Sequence, residues 1–250
     1  MLKENDAVFI TGGNSGIGLA AALVFARNGI DVAIYSRREG KNDRARSAIE
    51  NEGVRCLAFS GDVCDEESVR AAIDIAAKAF GGLRYAFVNA GAQQSVTPIS
   101  ELSCEEYQRL MDVNVKGAFL CLKYLIPVIA RSGGGAICNN ASAAGLLPSA
   151  MQALYGAAKF AVVGLTKAAA LEAAPLGVRV NVVCPGATTG EMWLSFARKH
   201  PQQAADVLAK HPLGRVGLKE EVAAAVLWLC RDATFTTGHA FTVDGGRTLR

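Results

Sequence analysis

The sequence predicts an α/β fold: a doubly wound parallel β-sheet of about seven strands with helices on both faces, the chain 1–250 forming a single domain. Three observations lead there. Short β-branched or apolar runs alternate with longer amphipathic stretches throughout, with no linker, repeat or low-complexity segment between them. Runs such as Tyr85-Ala-Phe-Val-Asn-Ala90 are almost continuously apolar, as strands buried on both faces must be. The composition, 51% hydrophobic and 20% charged over 250 residues, supplies enough apolar surface for one large core.

Taken in order, strands are expected over 7–11, 31–36, 54–60, 85–89, 135–140, 178–184 and 240–243. A helix over 15–28 is ended by Gly29, and one over 65–80 by Gly81-Gly82, because glycine adopts the left-handed conformation that closes a helix. A third begins at Ser103 with the capping pattern Ser103-x-x-Glu106 and runs to 130; Pro127 inside it predicts a kink or an end. A fourth covers 152–176. The segment 187–217, carrying Met192, Trp193, Leu194 and Phe196, breaks the alternation and is expected to form a helical flap over a site.

Several classes of function are disfavoured at once. The 26 Lys and Arg against 23 Asp and Glu leave only +3, without a charge run, so nucleic acid and anionic membrane are poor partners. The seven cysteines are scattered, never form a C-x-x-C pair and read as small buried hydrophobes of a reducing compartment. His200, His211 and His239 lie far from any cysteine pair, so no metal site is expected. The N-terminal apolar stretch is too short for a signal peptide and no run approaches 18 apolar residues, which predicts a soluble cytoplasmic protein.

The first strand opens into Thr11-Gly12-Gly13-Asn14-Ser15-Gly16-Ile17-Gly18 and a helix follows. Glycines there let the chain turn sharply and let backbone N–H groups meet a pyrophosphate at the positive end of the helix dipole, the Rossmann-type arrangement. Tyr35-Ser36-Arg37-Arg38 ends the second strand, where an NAD-binding chain presents an acid to the adenine ribose. Here a small hydroxyl and two guanidiniums suit a 2′-phosphate, the alternative being arginines that are merely solvated or stack on adenine. Asp62-Val63 places a carboxylate near an adenine amino group, or else caps a helix. Asn89-Ala90-Gly91 offers small residues where a cofactor lies against the backbone.

Tyr155 and Lys159, four apart, share one helix face, so the ammonium is expected to lower the phenol pKa. Ser142 precedes Tyr155 by 13 residues, and Asn114 follows the fourth strand. Read without chemistry, Ser142 is a strand-end cap, Asn114 satisfies a helix bend and Lys159 is solvated.

Together these motifs resemble a classical short-chain dehydrogenase/reductase over essentially all 250 residues. Thr11-Gly12-x-x-x-Gly16-x-Gly18 is similar to that family's cofactor loop, Asp62 to its adenine contact, and Asn114, Ser142, Tyr155 and Lys159 to its catalytic tetrad. Asn181-Val-Val-Cys-Pro185-Gly186, Pro212-Leu-Gly-Arg215 and Val243-Asp-Gly-Gly246 resemble its later signatures. The resemblance implies hydride exchange with a nicotinamide dinucleotide, for which Ser36, Arg37 and Arg38 favour NADP(H), NAD(H) being possible, with Tyr155 as general acid or base and Ser142 on the carbonyl oxygen. Lys159 would hold the nicotinamide ribose, and Asn114 would support a relay water. It also implies a homotetramer assembled through the helices over 103–130 and 152–176. Two departures stand out. Val88 replaces the first Asn of Asn-Asn-Ala-Gly, and Gly190 occupies the place of a carboxamide-binding Thr, leaving Thr188 and Thr189 as available hydroxyls.

The expected substrate walls are Gln93, Gln94, Ala144, Leu146, Leu147, Met151, Gln152, Trp193 and Phe196. They describe a mostly apolar pocket with amide rims and no anion-binding Arg or Lys, which favours a neutral ketone or secondary alcohol, cyclic or aryl-alkyl, over a phosphate, coenzyme A thioester or carboxylate. A 3-oxoacyl-thioester reductase of the same family is the alternative, and a non-catalytic dinucleotide-sensing regulator is the alternative of another class.

Overall fold

The computed structural model describes residues 6–249. Residues 1–5, on which the signal-peptide argument draws, lie outside the described residues, as does the side chain of Met192. Seven strands, β1 (Ala7–Thr11), β2 (Asp31–Ser36), β3 (Cys56–Ser60), β4 (Tyr85–Val88), β5 (Gly135–Asn140), β6 (Val178–Pro185) and β7 (Ala240–Val243), form one sheet in the order β3-β2-β1-β4-β5-β6-β7. Every neighbouring pair is parallel. The order reverses between β1 and β4, and this switch point opens a crevice beyond the carboxyl ends of the strands.

The period of two along the strands divides the core into two layers. Phe9, Ala33, Tyr35, Ala86, Val88, Ile137 and Val180 face α3 (Glu66–Phe80), α5 (Gly117–Arg131) and α6 (Ala153–Ala173). Val8, Ile10, Val32, Ile34, Phe87 and Cys138 face α1 (Gly16–Arg27), α2 (Glu39–Glu50) and α9 (Lys219–Arg231). Val88, where an Asn was expected, is buried in the first layer and therefore belongs to the packing. Cys56, Cys121, Cys138, Cys184 and Cys230 are buried, and burial pushes the Cys121 thiol up to about 12; Cys104 is exposed.

Local chemistry accounts for several helix ends. Gly29 and Gly81 adopt φ of 72° and 78°, as the stop signals required, and Asp65 accepts from the Ser68 N–H at 3.2 Å to cap α3. Ser103 caps α4 (Cys104–Met111) by accepting from the Glu106 N–H at 3.2 Å, but the box is half built: the Glu106 carboxylate turns to Arg109, at 2.8 Å. Pro127 neither ends nor interrupts α5, which continues to Arg131. It lies on the exposed face, where water reaches the carbonyl left unpaired at Lys123, while Leu125, Val128 and Ile129 hold the helix to the core. Between α4 and α5 the chain makes a π-helical turn, Asp112–Lys116. Two apolar stretches, Cys104–Arg131 and Ala153–Leu176, are long enough to cross a membrane, yet about half of each is buried. Segment 187–217 is helical in part, as α7 (Glu191–Lys199) and α8 (Pro201–Ala209).

Candidate active site

A cleft of about 640 Å³ opens at the switch point. Its floor is the loop after β1. A Cβ on Gly18 would sit 2.2 Å from the Gly12 carbonyl oxygen and 2.6 Å from Asn89 Nδ2, so only glycine lets α1 start this close to the strand end. Gly12, Asn14, Ser15, Gly16 and Ile17 line the cleft, while Gly18 packs behind them. Thr11 fastens the loop to β4, its hydroxyl accepting from the N–H groups of Asn89 and Ala90 at 2.9 and 3.0 Å. Asn89 Nδ2 donates back to the Thr11 carbonyl at 3.1 Å, and its Oδ1 accepts from Asn140 at 2.8 Å, which ties β5 to the same corner. Gly91 completes the wall: a Cβ there would lie 2.9 Å from Asn114 Oδ1 and 3.4 Å from Lys159 Nζ.

The end of β2 is equally closely built. Buried Asn42 donates to the Ser36 carbonyl at 3.0 Å and accepts from Asn14 Nδ2 at 2.8 Å, locking α2 against the glycine loop. Ser36 Oγ is left buried and without a partner on the cleft wall. Arg38 reaches the Ser15 hydroxyl at 3.2 Å, and Arg37 lies 4.0 Å from Asp62, mostly exposed. Asp62 is not the helix cap, since Asp65 fills that role. It accepts from the Cys64 N–H at 2.9 Å and lines the cleft with Val63.

The four sequence-separated residues of the proposed tetrad meet at the centre of this cleft. Asn114 sits in the π turn, where its amide donates to the Ala92 and Leu110 carbonyls at 3.0 and 2.9 Å and accepts from the Ala92 N–H at 3.2 Å. Ser142, two residues beyond β5, caps the 3-10 turn Ala143–Gly145 by accepting from the Ala144 N–H at 3.1 Å, and its hydroxyl keeps a hydrogen to give. Lys159, 4% exposed, donates to the Asn140 carbonyl at 3.0 Å, and burial lowers its pKa to about 8. The Lys159 ammonium is 5.6 Å from the Tyr155 ring centroid. Burial pushes the Tyr155 phenol above its ordinary value, opposed by the hydrogen bond with Ser142 and then by the charge of Arg247.

The substrate half departs further from expectation. Gln93, Ala144, Gln152, Trp193 and Phe196 line the cleft; Gln94, Leu146, Leu147 and Met151 do not. Gln94 is buried, and its Oε1 caps α6 by accepting from the N–H groups of Leu154 and Tyr155 at 2.9 and 3.0 Å. Its Nε2 donates to the carbonyl of Met151, whose φ of 64° turns the chain into α6. Gln94 therefore positions Tyr155 through the helix start rather than touching a ligand. Leu146 packs against the core. Above the site, Trp193 and Phe196 of α7 lie 5.8 Å apart, ring to ring. The turn after β6 is held by His211, whose Nε2 accepts from the Ala187 N–H at 3.1 Å while Nδ1 donates to the Val207 carbonyl at 2.7 Å. Pro185, Gly186, Thr188 and Thr189 line the cleft below.

Sequence reasoning missed Asn140, Val207 and, above all, Arg247. Arg247 lines the cleft, donates to Ser149 Oγ at 2.7 Å and keeps its Nε buried without a partner. The expectation of walls free of Arg and Lys is corrected by this residue. The available signal was its position immediately after Val243-Asp-Gly-Gly246, which fixes where the chain turns back toward β6.

A glycine loop at a switch point, joined to a Ser, Tyr and Lys on one wall, defines a dinucleotide-dependent oxidoreductase. A family model described as enoyl-(acyl carrier protein) reductase matches residues 12–248. Cyclohexanol dehydrogenase of Acinetobacter sp. (strain SE19) is 39% identical over 248 residues, 99% of this chain and 96% of that protein. Among solved structures, ElxO with NADP bound superposes with a TM-score of 0.91 at 33% identity, covering 98% of this chain and 100% of that one. NAD+-bound xylitol dehydrogenase superposes with 0.92 at 29% identity, again covering 98% and 100%. The chain belongs to the short-chain dehydrogenase/reductase family and acts on a small-molecule alcohol or carbonyl with a nicotinamide dinucleotide.

Proposed function

We propose that the protein is an NADP(H)-dependent oxidoreductase that interconverts an alicyclic or aryl-alkyl ketone and its secondary alcohol. The observation that carries the reaction is the convergence of Ser142, Tyr155 and Lys159 in one cleft, opposite a loop whose glycines admit a pyrophosphate. The orphaned Ser36 hydroxyl carries the cofactor choice: beside Arg37 and Arg38 it fits a phosphate oxygen, and the chain presents no acid after β2 until Glu39. When bound, the nicotinamide supplies or accepts the hydride.

The chain's own groups do the rest. Ser142 turns its hydroxyl hydrogen from Tyr155 to the substrate oxygen as negative charge develops there. Tyr155 gives its phenolic proton to that oxygen in reduction and takes it back in oxidation. Lys159, poised by burial at about 8, holds the ribose hydroxyls and passes the proton onward, and Asn114, fixed to the Ala92 backbone, anchors the relay water. Gly12, Asn14, Ser15, Gly16 and Ile17 cradle the pyrophosphate, Asp62 and Val63 the adenine, and Asn89, Ala90 and Gly91 the backbone side of the ribose. Thr188 Oγ1 already donates to the Gly186 carbonyl at 3.0 Å, whereas Thr189 Oγ1 accepts from the Lys219 N–H at 3.2 Å. Thr189 therefore has the hydrogen to give to the carboxamide.

Segment 187–217 serves as the flap, closing Trp193 and Phe196 over the substrate beside Gln93, Ala144 and Gln152. The protein works as a homotetramer in the cytoplasm; exposed Phe119 on α5 and exposed Phe160 and Leu171 on α6 supply apolar contact for neighbours. Consumption of NADPH with cyclohexanone, followed by reduced-nicotinamide absorbance against NADH at fixed ionic strength, tests the reading. Turnover with NADPH about tenfold to a few hundredfold above NADH is expected; no turnover of any alicyclic or aryl-alkyl ketone with either cofactor overturns it.

A further inference from the structure

We propose that Arg247 forms an anion subsite in the substrate half of the cleft, and that the substrate carries a carboxylate across an apolar skeleton from its reacting carbonyl. The inference rests on the ketone and alcohol reading above and narrows its substrate class.

The argument begins with how the guanidinium is presented. Gly245 and Gly246, at φ of 60° and 85°, turn the chain after β7 so that Arg247, at the head of a short 3-10 turn, faces the cleft. The neighbouring carboxylate, Asp244, is occupied elsewhere: its oxygens accept from the N–H groups of Gly246 and Thr248 at 3.0 and 2.8 Å and from the Thr248 hydroxyl at 2.7 Å. No carboxylate among the described residues lies within ion-pair distance of Arg247. Its one side-chain partner is neutral, the Ser149 hydroxyl at 2.7 Å, and its Nε is buried unpaired.

A guanidinium taken partly out of water without a counter-ion is costly unless something supplies one. Among the described residues none forms that ion pair, and the Asp244 charge acts on Arg247 only from beyond ion-pair distance. Among the described residues Asp62 is the only carboxylate lining the cleft, and it lies beside Arg37 at the adenine end. The same cleft is lined by Gln152, Tyr155, Trp193, Phe196 and Val207, which would surround an apolar skeleton and leave its far end to the cation. A planar fork with one neutral hydroxyl beside it suits a carboxylate, which two parallel N–H groups can hold, better than a phosphate needing several donors. The charge also reaches the Tyr155 hydroxyl, so a ligand at Arg247 sits within electrostatic range of the proton donor.

Two measurements test this. In the first, kcat/KM is compared for 4-oxocyclohexanecarboxylate and 4-methylcyclohexanone with wild type, Arg247→Met and Arg247→Gln. Wild type should favour the carboxylate at least tenfold, chiefly through KM, and both variants should lose that ratio by tenfold or more. A ratio unmoved by either variant, or a wild type that favours the methyl ketone, overturns the proposal while leaving the ketone reductase reading intact. In the second, binding of cyclohexanecarboxylate, which has no reacting carbonyl, is measured by calorimetry on the NADP+-loaded protein. Arg247→Met should weaken it tenfold more than it weakens cyclohexylmethanol. Equal weakening of both overturns the subsite even if no ketone is ever turned over, and turnover failing for every ketone counts against the parent reading alone.

Discussion

The two halves of the cleft are built by opposite means. The cofactor half is made of backbone and short side chains at the ends of β1, β2, β4 and β5, interlocked through Thr11, Asn42, Asn89 and Asn140. The substrate half is made of long side chains on α7, α8 and the last turn of the chain, and its few polar ties include His211 to Ala187 and Arg247 to Ser149. Rigid strand ends fix atoms to within the tolerance that hydride transfer demands, whereas helices joined by loops can be exchanged to suit another substrate. The difference teaches that precision and specificity are separable in this molecule, and it is open to direct attack.

The largest effect is expected where the halves meet. Tyr155→Phe removes only the transferable proton, so kcat should fall by about 10²–10⁴ while NADPH affinity changes little. Retention of a tenth of wild-type kcat would remove the role assigned to Tyr155. Because the phenol pKa is raised, the oxidation direction, which needs the ionised phenol, should gain rate as pH climbs, and reduction, which needs the protonated form, should hold across neutrality.

Next come the glycines of the rigid half, where space and backbone angle can be separated. Gly18→Ala drives a Cβ to 2.2 Å from the Gly12 carbonyl oxygen and should cost about 2–4 kcal/mol of stability, or abolish dinucleotide binding if the loop yields instead. Gly16→Ala meets nothing within 4 Å but inherits a φ of 55°, and should cost only about 1–2 kcal/mol. Equal penalties by denaturant unfolding would show the loop to be softer than its hydrogen bonds imply.

Smaller again is the cofactor preference. Charge-assisted bonds of a 2′-phosphate to Arg37 or Arg38 and Ser36, screened at this exposed loop, should favour NADPH by about tenfold to a few hundredfold in kcat/KM. Ser36→Asp with Arg37→Gln should invert it. NADH preference in the unaltered protein would reduce the arginines to flanking or stacking groups.

The same contrast explains what could be read from the chain alone. Strand ends and the glycine loop were legible because they depend on local rules: alternation, capping and positive φ. Ser142, Tyr155 and Lys159 were legible because spacing within one motif set survives folding. Gln94 was misread as a wall because nothing local says that its amide caps α6, sixty residues away in the chain. Arg247 was missed because its partners Ser149 and Tyr155 come from a distant segment, and only the turn at Gly245 and Gly246 brings it there. Pro127 was overrated because exposure, which a sequence does not state, decides whether a lost helix bond matters.

The finest test concerns stability rather than rate, and it asks whether the rigid half is strained for its function. Burial lowers Lys159 from 10.5 to about 8, so the folded protein holds its proton less tightly than the unfolded chain does. Below pH 8 the lysine is charged in both states and the folded one bears the full desolvation cost; above about 10.5 it is neutral in both and the cost vanishes. Between these limits the unfolded chain binds more protons, and this residue's contribution makes stability rise with pH. Lys159→Met, which keeps the stem and discards the charge, should therefore stabilise the cofactor-free protein by about 1–3 kcal/mol at pH 7, after allowing for the lost bond to the Asn140 carbonyl. The gain should shrink steadily toward pH 10, read as a converging pair of melting temperatures in scanning calorimetry. A gain of the same size at both pH values would place its origin in packing, and a loss at pH 7 would mean that the hydrogen bond to Asn140 outweighs the buried charge, leaving the rigid half unstrained.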